Sequence, residues 1–196
     1  MLYISTDYVF DGKNHKPFTV EDKPNPLSVY GKTKYEGEQE LLKHSDNAIV
    51  IRTAWLYSQY GNNFVKTMQR LGKEKSTLNV ISDQIGSPTY AGDLAEATIK
   101  ILPQLEPIHK GIYHYSNEGV CSWFDFATEI MEKSGLSCQV NPIPSTAYPT
   151  KATRPYYSVL DKSKIKNTFQ VIIPHWKKSL DVCIRYLKKG EQNIRK

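Results

Sequence analysis

The run Ala48-Ile49-Val50-Ile51-Arg52-Thr53-Ala54-Trp55 is apolar at almost every position. A strand with one wet face alternates polar and apolar residues, whereas a strand buried on both faces does not. Residues 48–55 therefore read as a central strand of a parallel sheet. Leu2-Tyr3-Ile4-Ser5 repeats the pattern in a shorter form. Parallel strands need crossover connections and helices over both faces of the sheet. The chain is thereby confined to the α/β class.

Helices fall between the strands. Pro24 and Pro26 hold their segment extended, and Ser28 can cap a helix running to about Lys43. Asn62 or Asn63 caps a second helix, with Phe64, Val65, Met68 and Leu71 on its apolar face and Gly72 closing it. A short strand over 78–81 follows, then a helix over 93–102 stopped by Pro103, and a strand over 111–115. Ser122 caps a helix bearing Trp123, Phe126, Ala127, Ile130 and Met131, which ends at Gly135. Residues 139–160, rich in Pro, Ser and Thr, are expected to wrap the surface. A last amphipathic helix is expected over 176–187.

On this frame, three polar groups fall close together. Thr6 lies at the carboxyl end of the first strand, the edge where open α/β sheets bind ligands. Tyr30 and Lys34 are four apart on the first helix and so share a face. The helix dipole and the Lys34 ammonium both favour the phenolate form of Tyr30, as suits a proton donor–acceptor. A hydroxyl, a phenol and an ammonium are the groups a hydride-transfer enzyme uses on a ketone. Spacing alone carries no weight, since chance supplies about 1.4 Tyr-x-x-x-Lys pairs at this composition. Taken alone, the two residues read as a stacked pair on a solvated helix, and Thr6 as a strand-end residue bonding its own backbone. The convergence gives them meaning.

A glycine-rich phosphate loop is missing. No two of the 11 glycines are separated by two or three positions, so no dinucleotide fingerprint or Walker loop can be assembled. The three cysteines have no metal spacing and the histidines form no ligand pair, so no metal site is expected. No run of about 18 apolar residues suggests a membrane span, and no signal peptide is evident. The net charge of +6 reads as solvated lysines, many of them near the C-terminus, and no nucleic-acid motif accompanies it. A cytoplasmic protein with reduced thiols is expected.

Four stretches occur in one order: 5–12 (Ser-Thr-Asp-Tyr-Val-Phe-Asp-Gly), 26–34 (Pro-Leu-Ser-Val-Tyr-Gly-Lys-Thr-Lys), 52–55 (Arg-Thr-Ala-Trp) and 82–89 (Ser-Asp-Gln-Ile-Gly-Ser-Pro-Thr). The series resembles the dTDP-4-dehydrorhamnose reductase family of the extended short-chain dehydrogenase/reductase superfamily, over residues 1 to about 186. The resemblance implies the C-terminal part of a doubly wound Rossmann-like sheet plus a small α/β substrate lobe. Residues 1–75 would supply the second half of the dinucleotide-binding domain. Residues 76–196 would form the sugar-nucleotide lobe, with a soft, interleaved boundary.

It further implies Thr6, Tyr30 and Lys34 as catalytic residues, with Tyr30, Lys34, Thr53 and Ala54 beside the cofactor, NADPH or NADH. Tyr8, Trp55, Gln84, Gly86, Thr89 and Arg154 would meet a nucleotide-diphosphate sugar, Arg154 at the diphosphate. Family members carry a glycine-rich first half that these residues lack. Hence either the sequence is a truncation or a separate chain supplies that half. Weak cofactor binding and a homo-oligomer are expected. The alternative is a non-catalytic regulatory or binding protein similar to the methionine adenosyltransferase β subunit, which shares the first two motifs.

Overall fold

The computed structural model describes residues 1–148 and 154–194. In chain order the elements are β1 (Leu2–Thr6), α1 (Val29–His44), β2 (Ile49–Thr53), β3 (Leu56–Tyr57), α2 (Phe64–Glu74), β4 (Thr77–Ile81), β5 (Ile85–Gly86) and β6 (Thr89–Tyr90). Then come α3 (Ala91–Ile101), β7 (Gly111–His114), β8 (Cys121–Ser122), α4 (Trp123–Ser134), β9 (Gln139–Ile143), α5 (Ser163–Phe169) and α6 (Trp176–Ile194). β1, β2 and β7 form a parallel sheet in that order, with Thr6 opposite Thr53 and Ile51 opposite Tyr113. All five residues of β2 are buried, as its unbroken apolar pattern requires. Because β7 comes from beyond residue 75, the two expected parts interleave through this sheet.

The faces of β2 are covered differently. Ile49 and Ile51 pack with Leu94, Ala97 and Ile101 of α3 and with Ile165 and Phe169 of α5. Arg52 instead meets Glu38 of α1 in a two-pronged ion pair, Nε to Oε1 at 3.0 Å and Nη2 to Oε2 at 2.7 Å, with both side chains buried. Ser5 of β1 donates to the same carboxylate. One charged cluster thus ties β1, β2 and α1 together.

A second core lies beside this sheet. β4 and β9 pair in parallel, and α2, α4 and α6 close over them through Val65, Met68, Phe126, Ile130, Leu180 and Ile184. Capping sets the helix starts. Ser28 Oγ accepts from Gly31 N at 3.0 Å, and Asn63 Oδ1 accepts from Lys66 N. Ser122 and Asp125 cap each other reciprocally, and Gly135 closes α4 at φ 72°.

Three expectations need correction. The 139–160 stretch is not only a surface wrap: Gln139–Ile143 is a strand, while residues 149–153 lie outside the described residues. Gly72 does not end α2, which runs on to Glu74. A Cβ there would come within 2.5 Å of Met131 Sδ, so the glycine permits close packing of α2 on α4. The last helix extends to Ile194. α5 is also present, buried through Ile165 and Phe169 and closed by Gln170 at φ 52°.

His114, on β7 beside Arg52, is fully buried. Nδ1 meets Phe18 O at 3.1 Å, and Nε2 has no partner among the described residues. Burial first, and then the Arg52 charge, pull its pKa from 6.5 down to about 3. The folded state therefore holds it neutral. Its stabilising contribution is complete above pH 6.5 and is lost as pH falls towards 3, at most on the order of 5 kcal/mol. Urea denaturation should give a smaller loss between neutral and acid pH for His114→Gln than for the native protein. An unchanged acid slope would show that His114 is not the group responsible.

Candidate active site

β1 hands its last residue directly to a short 3-10 turn over Asp7–Val9. Thr6 caps the turn, its Oγ1 accepting from Tyr8 N at 3.2 Å. The turn buries Asp7 and sends Tyr8 towards α1. The Tyr8 and Tyr30 rings meet edge to face, with centroids 5.8 Å apart. One helical turn on, Lys34 Nζ donates to Ile4 O of β1 at 2.6 Å and lies 4.2 Å from the centre of the Tyr3 ring. Tyr30 itself is 55% exposed. Tyr30 and Lys34 of α1 thus lie against the turn that leaves β1 and against β1 itself, with the phenol open to an incoming molecule.

Gly31 makes this approach possible. A Cβ at this position would lie 2.2 Å from Tyr8 O and 3.1 Å from Pro26 Cβ. In an ordinary helix, Gly→Ala gains about 1 kcal/mol. Here the new methyl would strike backbone, and overpacking costs about 1–3 kcal/mol. Gly31→Ala is expected to show a net loss of stability in urea denaturation; a net gain would mean the α1–turn contact is loose.

The neighbouring strand end carries Thr53 and Ala54, both buried, and among the described residues Thr53 Oγ1 has no partner. Trp55 follows in the left-handed region at φ 49°. Its indole stacks on Trp123 at 3.6 Å between centroids, and its carbonyl accepts from Thr89 N at 3.1 Å. A Cβ on Gly86 would sit 2.6 Å from Trp55 Cε2, so that glycine makes room for the ring. The structure thus places Gly86 and Thr89 as supports of Trp55, with the Thr89 side chain fully buried. Gln84 is also buried and donates to Ser145 Oγ at 3.2 Å.

Arg154 lines a cleft of about 560 Å³ together with Phe64, Lys75, Trp123, Tyr148 and the residues of β4. Its charge also reaches Tyr8. Burial, and then Asp7, raise the Tyr8 pKa, while Arg154 opposes them. The site therefore joins a hydroxyl-bearing strand edge to a cleft holding two cations and three aromatic rings. Such a cleft suits a ligand with an aromatic base and phosphates.

Sequence reasoning passed over Asp7, Trp123, Lys75 and Tyr148. Asp7 stood in the quoted motif without a role, and Trp123 read as one more apolar residue of its helix. Among the described residues, no three His, Cys, Asp or Glu side chains are placed to hold a metal, and no helix is long and apolar enough to cross a membrane. Cys121, Cys138 and Cys183 are buried and unbridged.

The RmlD substrate binding domain family matches residues 1–189. The spore coat polysaccharide biosynthesis protein SpsK of Bacillus subtilis is 45% identical over 179 residues, which cover 91% of the chain and 62% of SpsK. The crystal structure of a dTDP-4-dehydrorhamnose reductase from Clostridium acetobutylicum superposes with a TM-score of 0.91 at 43% identity, over 95% of the chain and 65% of that protein. The reductase from Bacillus anthracis, solved in complex with NADP, gives 0.89 at 40%, over 94% and 65%. The chain spans somewhat less than two thirds of the length of these relatives, and it belongs to the RmlD substrate binding domain family.

Proposed function

We propose that the chain carries the proton-transfer and substrate-binding machinery of an NAD(P)H-dependent reductase acting on a 4-keto sugar nucleotide. The specific reaction is dTDP-4-dehydrorhamnose to dTDP-rhamnose, a step in nucleotide-sugar and cell-envelope polysaccharide synthesis. The observation that carries this reading is that α1 lays Tyr30 against Tyr8, in the turn that Thr6 caps, and Lys34 against Ile4 of the strand before it. The similarity to dTDP-4-dehydrorhamnose reductases, one of them bound to NADP, supports it.

The residues present fit a nicotinamide nucleotide. Thr53 Oγ1 is an unpartnered hydroxyl at the strand end, Ala54 offers a small surface beside it, and Lys34 stands next to that edge. A bound nicotinamide would supply a hydride to C4 of the sugar. Tyr30 gives its phenolic proton to the C4 oxygen as negative charge develops there, and its exposure lets solvent restore the proton. Lys34, one turn along the same helix, would hold the nicotinamide ribose. Thr6 donates a hydrogen bond to the same oxygen. Tyr8 and the free edge of Trp55 bound the sugar, and Arg154 takes the diphosphate with a paired guanidinium contact.

The test follows NADPH oxidation with a dTDP-4-keto-6-deoxy sugar. It uses the purified protein alone and then with the glycine-rich half of a similar reductase added. Sugar-dependent oxidation in either condition supports the proposal. None in both, with the protein folded, would sink it.

A further inference from the structure

Asp7 is an acid out of place. Its side chain is buried, yet among the described residues it has no cationic partner. Oδ1 lies 3.0 Å from Thr6 Oγ1, and Oδ2 has no hydrogen-bond partner among the described residues. The interactions that set its charge are burial above all, then Thr6, the Ser158 hydroxyl and the N–H groups of its own turn; burial pushes the carboxyl from 3.8 up to about 7. Ser158, the facing group from the segment beyond Arg154, is itself buried and directs its proton to Ile85 O at 3.3 Å. The titratable neighbour is Tyr8, which in turn feels Tyr30 and Arg154.

The Thr6 hydroxyl has one proton and two lone pairs. Tyr8 N–H fills one lone pair. An ionised Asp7 can only accept, so it takes the threonine proton, leaving Thr6 nothing to donate elsewhere. A neutral Asp7 can donate from Oδ1 into the second lone pair. The threonine proton is then free to point out of the protein. Only the second arrangement lets Thr6 do what the proposed reduction asks of it.

We propose that Asp7 is a positioning residue that sets the direction of the Thr6 hydroxyl, aiming its proton at the reacting oxygen when Asp7 is a neutral acid and withdrawing it when Asp7 is a carboxylate. The use of this relay rests on the reductase reading; the relay itself does not. Asp7 keeps its own proton throughout and exchanges none with the substrate.

Two measurements test this. In the first, carbon NMR of the protein labelled at Asp carboxyls and at Thr is followed from about pH 5 to 9, a range bracketing a neutral midpoint. The Asp7 carboxyl and Thr6 Cβ should titrate together, and the Thr6 response should vanish in Asp7→Asn, whose amide is a permanent donor. An Asp7 ionised throughout, or a Thr6 signal that ignores it, would overturn the proposal. In the second, turnover is measured against pH in the active assembly. The native enzyme should lose rate as pH rises through the same midpoint, by up to about 10²-fold, the scale of a lost donor to a developing oxyanion. Asp7→Asn should hold the low-pH rate across the range, and Thr6→Val should be slow and free of that inflection. KM should move little. An Asp7→Asn profile with the native inflection would overturn the assignment. Coupled NMR titration with no turnover by any variant, native included, would count against the reductase reading and leave the relay standing.

Discussion

Tyr30→Phe lowers turnover with a 4-keto sugar nucleotide by about 10²-fold or more, while the protein stays folded. The size follows from the usual contribution of a positioned general acid. The fold should survive because only one oxygen is removed, and it comes from a side chain that is 55% exposed. The edge-to-face contact with Tyr8 uses the ring, which phenylalanine retains. The expected signature is a fall in kcat with the urea midpoint unchanged. A rate close to native would remove Tyr30 from the chemistry and, with it, the basis for reading the site as a reductase.

Glu38→Ala costs about 3–5 kcal/mol, the usual result of stripping one partner from a buried ion pair. Arg52 is left 1% exposed with an uncompensated charge, and its Nη1 already lacks a partner. Ser5 loses its acceptor in the same step. Replacing both partners by apolar residues, Glu38→Leu with Arg52→Met, should recover most of that loss, since well-packed hydrophobes can match a buried pair. Urea denaturation of the two single variants and the double variant measures the coupling. A Glu38→Ala loss below about 1 kcal/mol would mean that water reaches the pair. Glu38 sits one helical turn beyond Lys34, so the same change is expected to loosen the helix that presents the catalytic side chains.

How much of this could be read from the residues differs from element to element. β2 was legible because burial on both faces leaves an unbroken apolar run, and α1 and α4 because Ser28 and Ser122 cap them. β9 was not. Gln139-Val-Asn-Pro-Ile mixes polar residues with a proline, and it forms a strand because only β4 pairs with it, leaving the Pro142 nitrogen unneeded. Gly72 looked like a helix stop because the sulfur of Met131 that presses on it lies 59 positions away in sequence. In the site, Tyr30 and Lys34 became legible once their helix and the strand before it were recognised. Asp7 did not, because a carboxylate's burial and its missing partner depend on residues such as Ser158 that only the fold brings near. Gln84 and Thr89 were read as lining a sugar nucleotide, but their side chains are buried, and strand pairing rather than composition decides which way they face.

The stacking of Trp55 on Trp123 also makes the cleft visible to light. These are two of the three tryptophans; the third, Trp176, is buried in the second core. Parallel indoles in van der Waals contact couple their electronic transitions, giving a paired circular-dichroism band and quenched emission. A molecule that entered beside Trp123 and parted the rings would collapse the band and restore the emission. Occupancy of the site can therefore be followed in solution with no label attached.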